Sequence, residues 1–291
     1  MLRSPRAASI VEGHIGGGFV VTPPGDTRKL RFCGLLDTLK AACYRDYSFR
    51  KARSAAGTPA ALKVRTGLAR PSHGRNRGRV VHQQVRVAIN AGGVRAVHAL
   101  YRSMTPQAAA LFRSFDLKRL EPVYAEFADY YEQLSLASAI DLMCVRRDPE
   151  TGRESLVLLE VKTGYDNGFR SGTGPLKAPA SLKSKYNNSP LNQAFLQLAF
   201  YRKMIERNYP TVRLGSAYVV QLLSSGAVVY HRLPEDIVRA SDELLACVAK
   251  LRLGRLKRRE QKRAAAAAKA PATRPGTPQQ RRASGAARRR R

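Results

Sequence analysis

The chain has 291 residues, with 52 Lys and Arg against 21 Asp and Glu, a formal net charge of +31. At 44% hydrophobic residues it can bury a sizeable core, which argues against wholesale disorder, and its length suits one large domain or two small ones. No apolar run approaches the roughly 20 residues that span a bilayer, and the first residues carry no long apolar segment, so neither a membrane partner nor secretion is expected. Cys33, Cys43, Cys144 and Cys247 lie far apart. They form no CxxC pair and no disulfide framework, which points to a reducing compartment.

So large a positive charge calls for a polyanionic partner, most commonly nucleic acid. Its distribution matters. From Arg255 to Arg291, fourteen basic residues stand against Glu260 alone, a net +13, which leaves +18 on residues 1–254. The body is therefore basic in its own right. The tail has no aromatic residue and is expected to be disordered apart from a helical start at 255–268. Lys257-Arg258-Arg259 and Lys262-Arg263 read as nuclear-import clusters, and the whole tail equally as a phosphate-binding arm. A solubilising tail is the plain alternative. The nucleus is the expected location; Arg3, Ser4 and Arg6 leave a mitochondrial option.

In chain order, residues 13–18 read as a Gly-rich turn, without the Gly-Lys-Ser/Thr of a phosphate loop. Residues 30–46 have the spacing of a short amphipathic helix. Residues 51–79 read as a basic, mobile loop over a binding face. A helix is predicted from Gly78 to about Asn90, stopped by Ala91-Gly92-Gly93. Thr105-Pro106 caps another that runs to about Phe115. Residues 121–134, 139–147 and 155–163 read as a three-stranded meander with a turn at Asp148–Gly152. A Gly/Lys/Ser-rich loop at 164–189 leads to a helix over 191–208. Strands near 216–223 and 226–232 and a helix from Pro234 to about Arg252 complete the body. Helices interleaved with strands make the class α/β or α+β around a mixed sheet.

The sharpest local signal is Leu158-Leu159-Glu160-Val161-Lys162-Thr163. On a strand, Glu160 and Lys162 share one face and Val161 takes the other. Burying that pair is costly unless it faces a cleft and a metal or substrate. Asp141, one strand earlier, can approach Glu160 across the hairpin. Two carboxylates on adjacent strands make an oxygen-rich site suited to Mg²⁺ or Mn²⁺, and a lysine beside it suits phosphodiester hydrolysis. From E-x-K alone, an ordinary surface Glu–Lys pair is the favoured reading. His82, one turn into its helix, can add a nitrogen ligand; singly it is a common core or surface histidine. Gln197 and Tyr201 share a helix face at i,i+4 and can hydrogen-bond DNA phosphates or the attacking water; a lone Tyr there is usually core. Ser189-Pro190-Leu191-Asn192 forms the entry to that helix.

Taken in order, Gly78 with His82, Ala139-Ile140-Asp141, Glu160-Val161-Lys162-Thr163, and Gln197 with Tyr201 resemble the RecB-type branch of the PD-(D/E)xK nuclease superfamily. The likeness covers about residues 78–233, with Ser138 near a position where the family usually has glycine. It implies a restriction-endonuclease-like core at 78–254, with a central mixed β-sheet flanked by helices, preceded by an N-terminal helical and basic-loop region at 1–77 and followed by the tail at 255–291. It also implies a metal-dependent DNA nuclease, with exonuclease action on DNA ends in recombination, repair or replication. Asp141 and Glu160 would hold Mg²⁺ or Mn²⁺ with the Val161 carbonyl and His82, and Lys162 would position the water. Gln197 and Tyr201 would hold DNA and the active-site end of their helix. With only Cys247 on the C-terminal side, the iron–sulfur cluster of some relatives is not expected. The alternative is a catalytically silent nucleic-acid-binding protein of the same fold. DNA against RNA, strand preference and oligomeric state stay open.

Overall fold

Alternate residues along the strand of residues 154–163 enter two different cores. Leu156 and Leu158 pack into one cluster, whereas Val157, Leu159 and Val161 pack into another. A strand buried on both faces needs helices on both, and the chain supplies them. The structure is a computed structural model that describes residues 10–11, 18–21, 30–44, 71–90, 103–172 and 174–269. It is an α/β fold around a mixed sheet.

The strands are β1 (Ile10–Val11), β2 (Gly18–Val21), β3 (Leu30–Gly34), β4 (Glu121–Tyr131), β5 (Leu136–Arg147), β6 (Glu154–Thr163), β7 (Leu214–Leu222) and β8 (Val228–Arg232). They run in the order β1-β2-β3-β5-β6-β7-β8, with β4 also paired to β5. The expected meander is β4, β5 and β6, joined antiparallel. β3–β5 and β6–β7 are parallel; the other pairs are antiparallel. One edge of β5 is divided: β3 pairs with Leu136 and Ala137, and β6 pairs only from Leu142 onward. Asp141 sits at the fork.

The described helices are α1 (Leu35–Cys43), α2 (Pro71–Asn90), α3 (Pro106–Lys118), α4 (Pro190–Asn208), α5 (Glu235–Arg239) and α6 (Ser241–Lys269). On one sheet face, α1, α4, α5 and the start of α6 contribute Leu35, Leu39, Phe195, Phe200, Ile237 and Leu244 to the larger core. On the other, α2 and α3 contribute Val81, Val85, Leu111, Phe112 and Phe115. Thr105 caps α3, accepting from the Ala108 amide, with Pro106 in the first turn; Ser189 caps α4 in the same way through the Asn192 amide. Both caps follow the rule that a short hydroxyl side chain satisfies a free amide of the first turn.

Several boundaries differ from the sequence reading. Of residues 30–46, expected as one helix, 30–43 are a strand followed by a helix, because Leu30–Gly34 pairs with β2 and β5 before the chain turns into α1. Through β3 and α1, residues 30–44 join the same compact unit as the central strands, 1–252. Residues 71–79, expected as loop, are the beginning of α2. The final helix is two: α5 ends at Arg239, and α6 runs unbroken past Arg252 to Lys269. Residues 253–291 form the second unit, whose described part is helical. Of the turn expected at 13–18, Gly18 begins β2 and 13–17 lie outside the described residues, as do residues 51–70 of the expected loop, the Ala91-Gly92-Gly93 stop and the tail beyond 269.

Candidate metal centre

The centre begins with a break in the pleat. On β5, Ile140 belongs to the larger core, yet Leu142, two residues on, belongs to the opposite one. On β4, Ala125 and Phe127 are likewise divided. The residues between them, Asp141 and Glu126, lie across from each other in the β4–β5 register, flanked by the pairs Ala125↔Leu142 and Phe127↔Ile140. Glu126 has φ +53°, a left-handed conformation that costs a non-glycine residue roughly 1–2 kcal/mol. That residue inverts the alternation on β4, and the carboxylates of Glu126 and Asp141 meet the same side chain of α2.

That side chain is His82. Its Nδ1 lies 3.1 Å from Glu126 Oε1 and 3.7 Å from Asp141 Oδ1. One ligand atom from each of His82, Glu126 and Asp141 falls within 4.8 Å of the others. Asp141 is fixed from behind by the Val161 amide, which donates to its Oδ2 at 2.8 Å. α2 approaches closely because Gly78 has no side chain: a Cβ there would stand 2.9 Å from Thr163 Oγ1.

Glu160 and Lys162 share one face of β6, as period two requires, and their side chains meet, with Lys162 Nζ donating to Glu160 Oε1 at 2.5 Å. Glu160 is 1% exposed, and its Oε2 has no hydrogen-bond partner among the described residues. An ionised acceptor left bare in the interior is strongly unfavourable unless a cation neutralises it.

The charges act on one another. Burial lowers the His82 imidazole, but the Asp141 charge and the Glu126 hydrogen bond outweigh it and raise its pKa to about 9. Burial pushes Glu160 up to about 7; Asp141 adds to the rise and Lys162 opposes it. Asp141 is raised by burial against the pull of His82 and Lys162. Burial works against the Lys162 ammonium, yet Glu160 and Asp141 raise it above its ordinary value. Without a cation, the proton therefore rests on His82, whose Nδ1 touches both carboxylates, and Lys162 stays charged.

A set of two or three carboxylates and one imidazole suits Mg²⁺ or Mn²⁺. The half-buried His82–Glu126–Asp141 triad fits such an ion, and Glu160 Oε2 is a further buried acceptor without a partner among the described residues. The triad differs from the set expected from sequence: Glu126 is a member, and Glu160 stands beside it bound to Lys162. Val161 contributes its amide to Asp141. No pattern in the sequence singles out Glu126, since a strand glutamate is ordinarily a solvated side chain.

Gln197 and Tyr201 do share a face of α4, but they are 7% and 0% exposed. The DNA contact expected of Tyr201 is ruled out by that burial. Its hydroxyl instead donates to the Ala139 carbonyl at 2.9 Å and accepts from Gln197 Nε2 at 2.6 Å. The Ser138 hydroxyl lies 2.9 Å from the same oxygen. Serine therefore has a partner at the position where the motif usually has glycine. Burial, then the charges of Glu160 and Asp141, keep the phenol protonated.

No protein-family model matches the chain, and no curated protein matches it.

Proposed function

We propose that the protein is a Mg²⁺- or Mn²⁺-dependent deoxyribonuclease with a restriction-endonuclease-like core, acting on DNA ends in recombination, repair or replication. The observation that carries this reading is the convergence of His82, Glu126 and Asp141 beside the buried Glu160–Lys162 pair. The basic body supports a nucleic-acid substrate, and the basic clusters of the tail support a nuclear location.

His82, Glu126, Asp141 and Glu160 would hold the metal, which when bound supplies Lewis-acid polarisation of a phosphodiester oxygen. The protein's own groups do the rest. The Val161 amide orients Asp141. Glu160 fixes the Lys162 ammonium, which donates hydrogen bonds to the attacking water or to charge gathering on the phosphate oxygens. Tyr201 and Gln197 are positioning residues: they tie α4 to the β5 backbone two residues before Asp141.

The test is cleavage of end-labelled linear, circular and single-stranded DNA with Mg²⁺ or Mn²⁺, using the full chain. Asp141→Asn, Glu160→Gln and Lys162→Ala should each reduce cleavage by 100-fold or more while DNA binding persists. Full cleavage by Lys162→Ala or Glu160→Gln would overturn the reading. Salt-sensitive binding by the wild-type chain without any metal-dependent product would favour the silent binding protein.

A further inference from the structure

A concave groove of about 790 Å³ opens between the loop that follows β6, the first turn of α4 and the edge strand β8. Arg170, Lys183, Lys185 and Arg232 line it together with His231, and no carboxylate does. Lys185 and Arg232 have acidic neighbours, the half-buried Asp236 at 3.6 Å and the exposed Glu235 at 3.2 Å; an exposed pair of the second kind is weak in water. Arg170 and Lys183 have no carboxylate within 4.0 Å among the described residues. The hollow therefore presents a net positive face, with two cations left for an anion to meet.

Arg170 is also held in place. Its guanidinium lies 3.4 Å from Nδ1 of His231. Nε2 of His231 lies 2.9 Å from Gln221 Oε1, so Nε2 carries the proton and Nδ1 accepts. Gln221 Nε2 in turn donates to the Tyr165 carbonyl. His231 is buried, and burial together with Arg170 lowers its pKa, so it stays a neutral acceptor. In the β6–β7 register Gln221 lies directly beside Lys162. Gln221 also shares the sheet face of Val219, which packs into the larger core with Leu158, the face of Glu160 and Lys162. The relay therefore runs from the groove's arginine to the strand neighbour of the proposed catalytic lysine.

We infer that this groove is a nucleic-acid subsite, in which Arg170 and Lys183 grip the sugar-phosphate backbone of the strand whose scissile bond lies at the His82–Glu126–Asp141 centre. A strand is the occupant because the body of the chain is itself basic, at +18 over residues 1–254, and because the relay leads to Lys162. The inference rests on the nuclease reading for the second half of that statement only; phosphate binding by the groove stands by itself.

The experiment is fluorescence anisotropy with labelled single- and double-stranded oligonucleotides on the full chain in EDTA, across a salt series. No cleavage is needed, so its outcome is separate from that of the Asp141→Asn test. Arg170→Ala/Lys183→Ala should weaken binding about tenfold and flatten the salt slope by about 1.4 on single strands and about 1.8 on duplexes, as expected when two phosphate contacts are lost. Ser184→Glu, an exposed change inside the groove, should weaken binding without touching the core. Arg153→Ala/Arg213→Ala, which removes the same charge at the opposite end of β6, should change affinity less than twofold. Equal losses in the two double variants would show that only net charge matters and would overturn the inference. So would competition by millimolar inorganic phosphate with oligonucleotide binding unchanged in Ser184→Glu, which marks a small-anion pocket.

Discussion

The Tyr201 hydroxyl donates to the carbonyl of Ala139, two residues before Asp141 on β5. At this stretch β5 lacks a β6 partner, since that pairing begins at Leu142. A helix side chain thus supplies a hydrogen bond that the sheet does not.

Tyr201→Phe should show what that bond does. It leaves the Ala139 carbonyl without its donor and removes the oxygen that Gln197 and Ser138 contact, at a cost of about 1–3 kcal/mol. Thermal or urea unfolding should register the loss. If the role is to set Asp141, Mn²⁺ affinity should also fall while DNA binding in EDTA is unchanged. Tyr201→Phe with wild-type Mn²⁺ affinity would reduce the residue to a core anchor.

Glu126 invites a different substitution, because its backbone and its carboxylate can be separated. Glu126→Gly removes the carboxylate and relieves the left-handed strain, while adding roughly 0.5–1 kcal/mol of backbone entropy to the unfolded state. The relieved strain is then set against that entropy and the lost His82–Glu126 hydrogen bond, so stability should change little. Mn²⁺ affinity, followed by calorimetry, should drop at least tenfold, and Glu126→Gln should match it. A glycine variant that binds Mn²⁺ normally would remove Glu126 from the centre.

Much of this arrangement could be read from the residues. Period two placed Glu160 and Lys162 together with Val161 opposite, Asp148–Gly152 marked a hairpin, and Thr105 and Ser189 announced two helices. Those features depend on local chemistry. Glu126 escaped because its role depends on the β4–β5 register and on one positive φ, neither of which leaves a mark in composition. Tyr201 was legible as a face partner of Gln197, but its burial depends on how α4 packs over β5. The periodicity of residues 30–46 does not mark the start of α1, because Leu30–Gly34 becomes a strand only by pairing with β2 and β5.

Gly78 carries a steric prediction. A methyl group at this position would press on Thr163 Oγ1 at 2.9 Å, and Thr163 follows Lys162 on β6. Gly78→Ala should cost about 1–3 kcal/mol through overpacking and lower cleavage by displacing α2 and His82. Thr163→Ala opens the space, so Gly78→Ala/Thr163→Ala should recover most of both losses in unfolding and cleavage assays. A double variant no better than the sum of its parts would place the defect elsewhere.

The pH dependence of the metal-free protein tests the electrostatics of the centre. The pKa of His82 is raised to about 9 from an ordinary 6.5, so its contribution to stability is complete below about 6.5 and fades as pH climbs through 9. Glu160, also raised, exchanges its proton between its ordinary 4.5 and about 7. The buried thiols of Cys43 and Cys144, raised from an ordinary 9.0, add their own loss of stability as pH nears 9, so the lower part of the interval above pH 7.5 belongs mainly to His82. In EDTA, the wild-type melting temperature should fall across that interval, and His82→Gln should flatten the decline. Mn²⁺ should show the converse trend: its affinity should rise with pH toward 9, because the ion displaces the proton that His82 shares with Glu126 and Asp141. A His82→Gln protein with the wild-type slope would mean that the imidazole is not the titrating group.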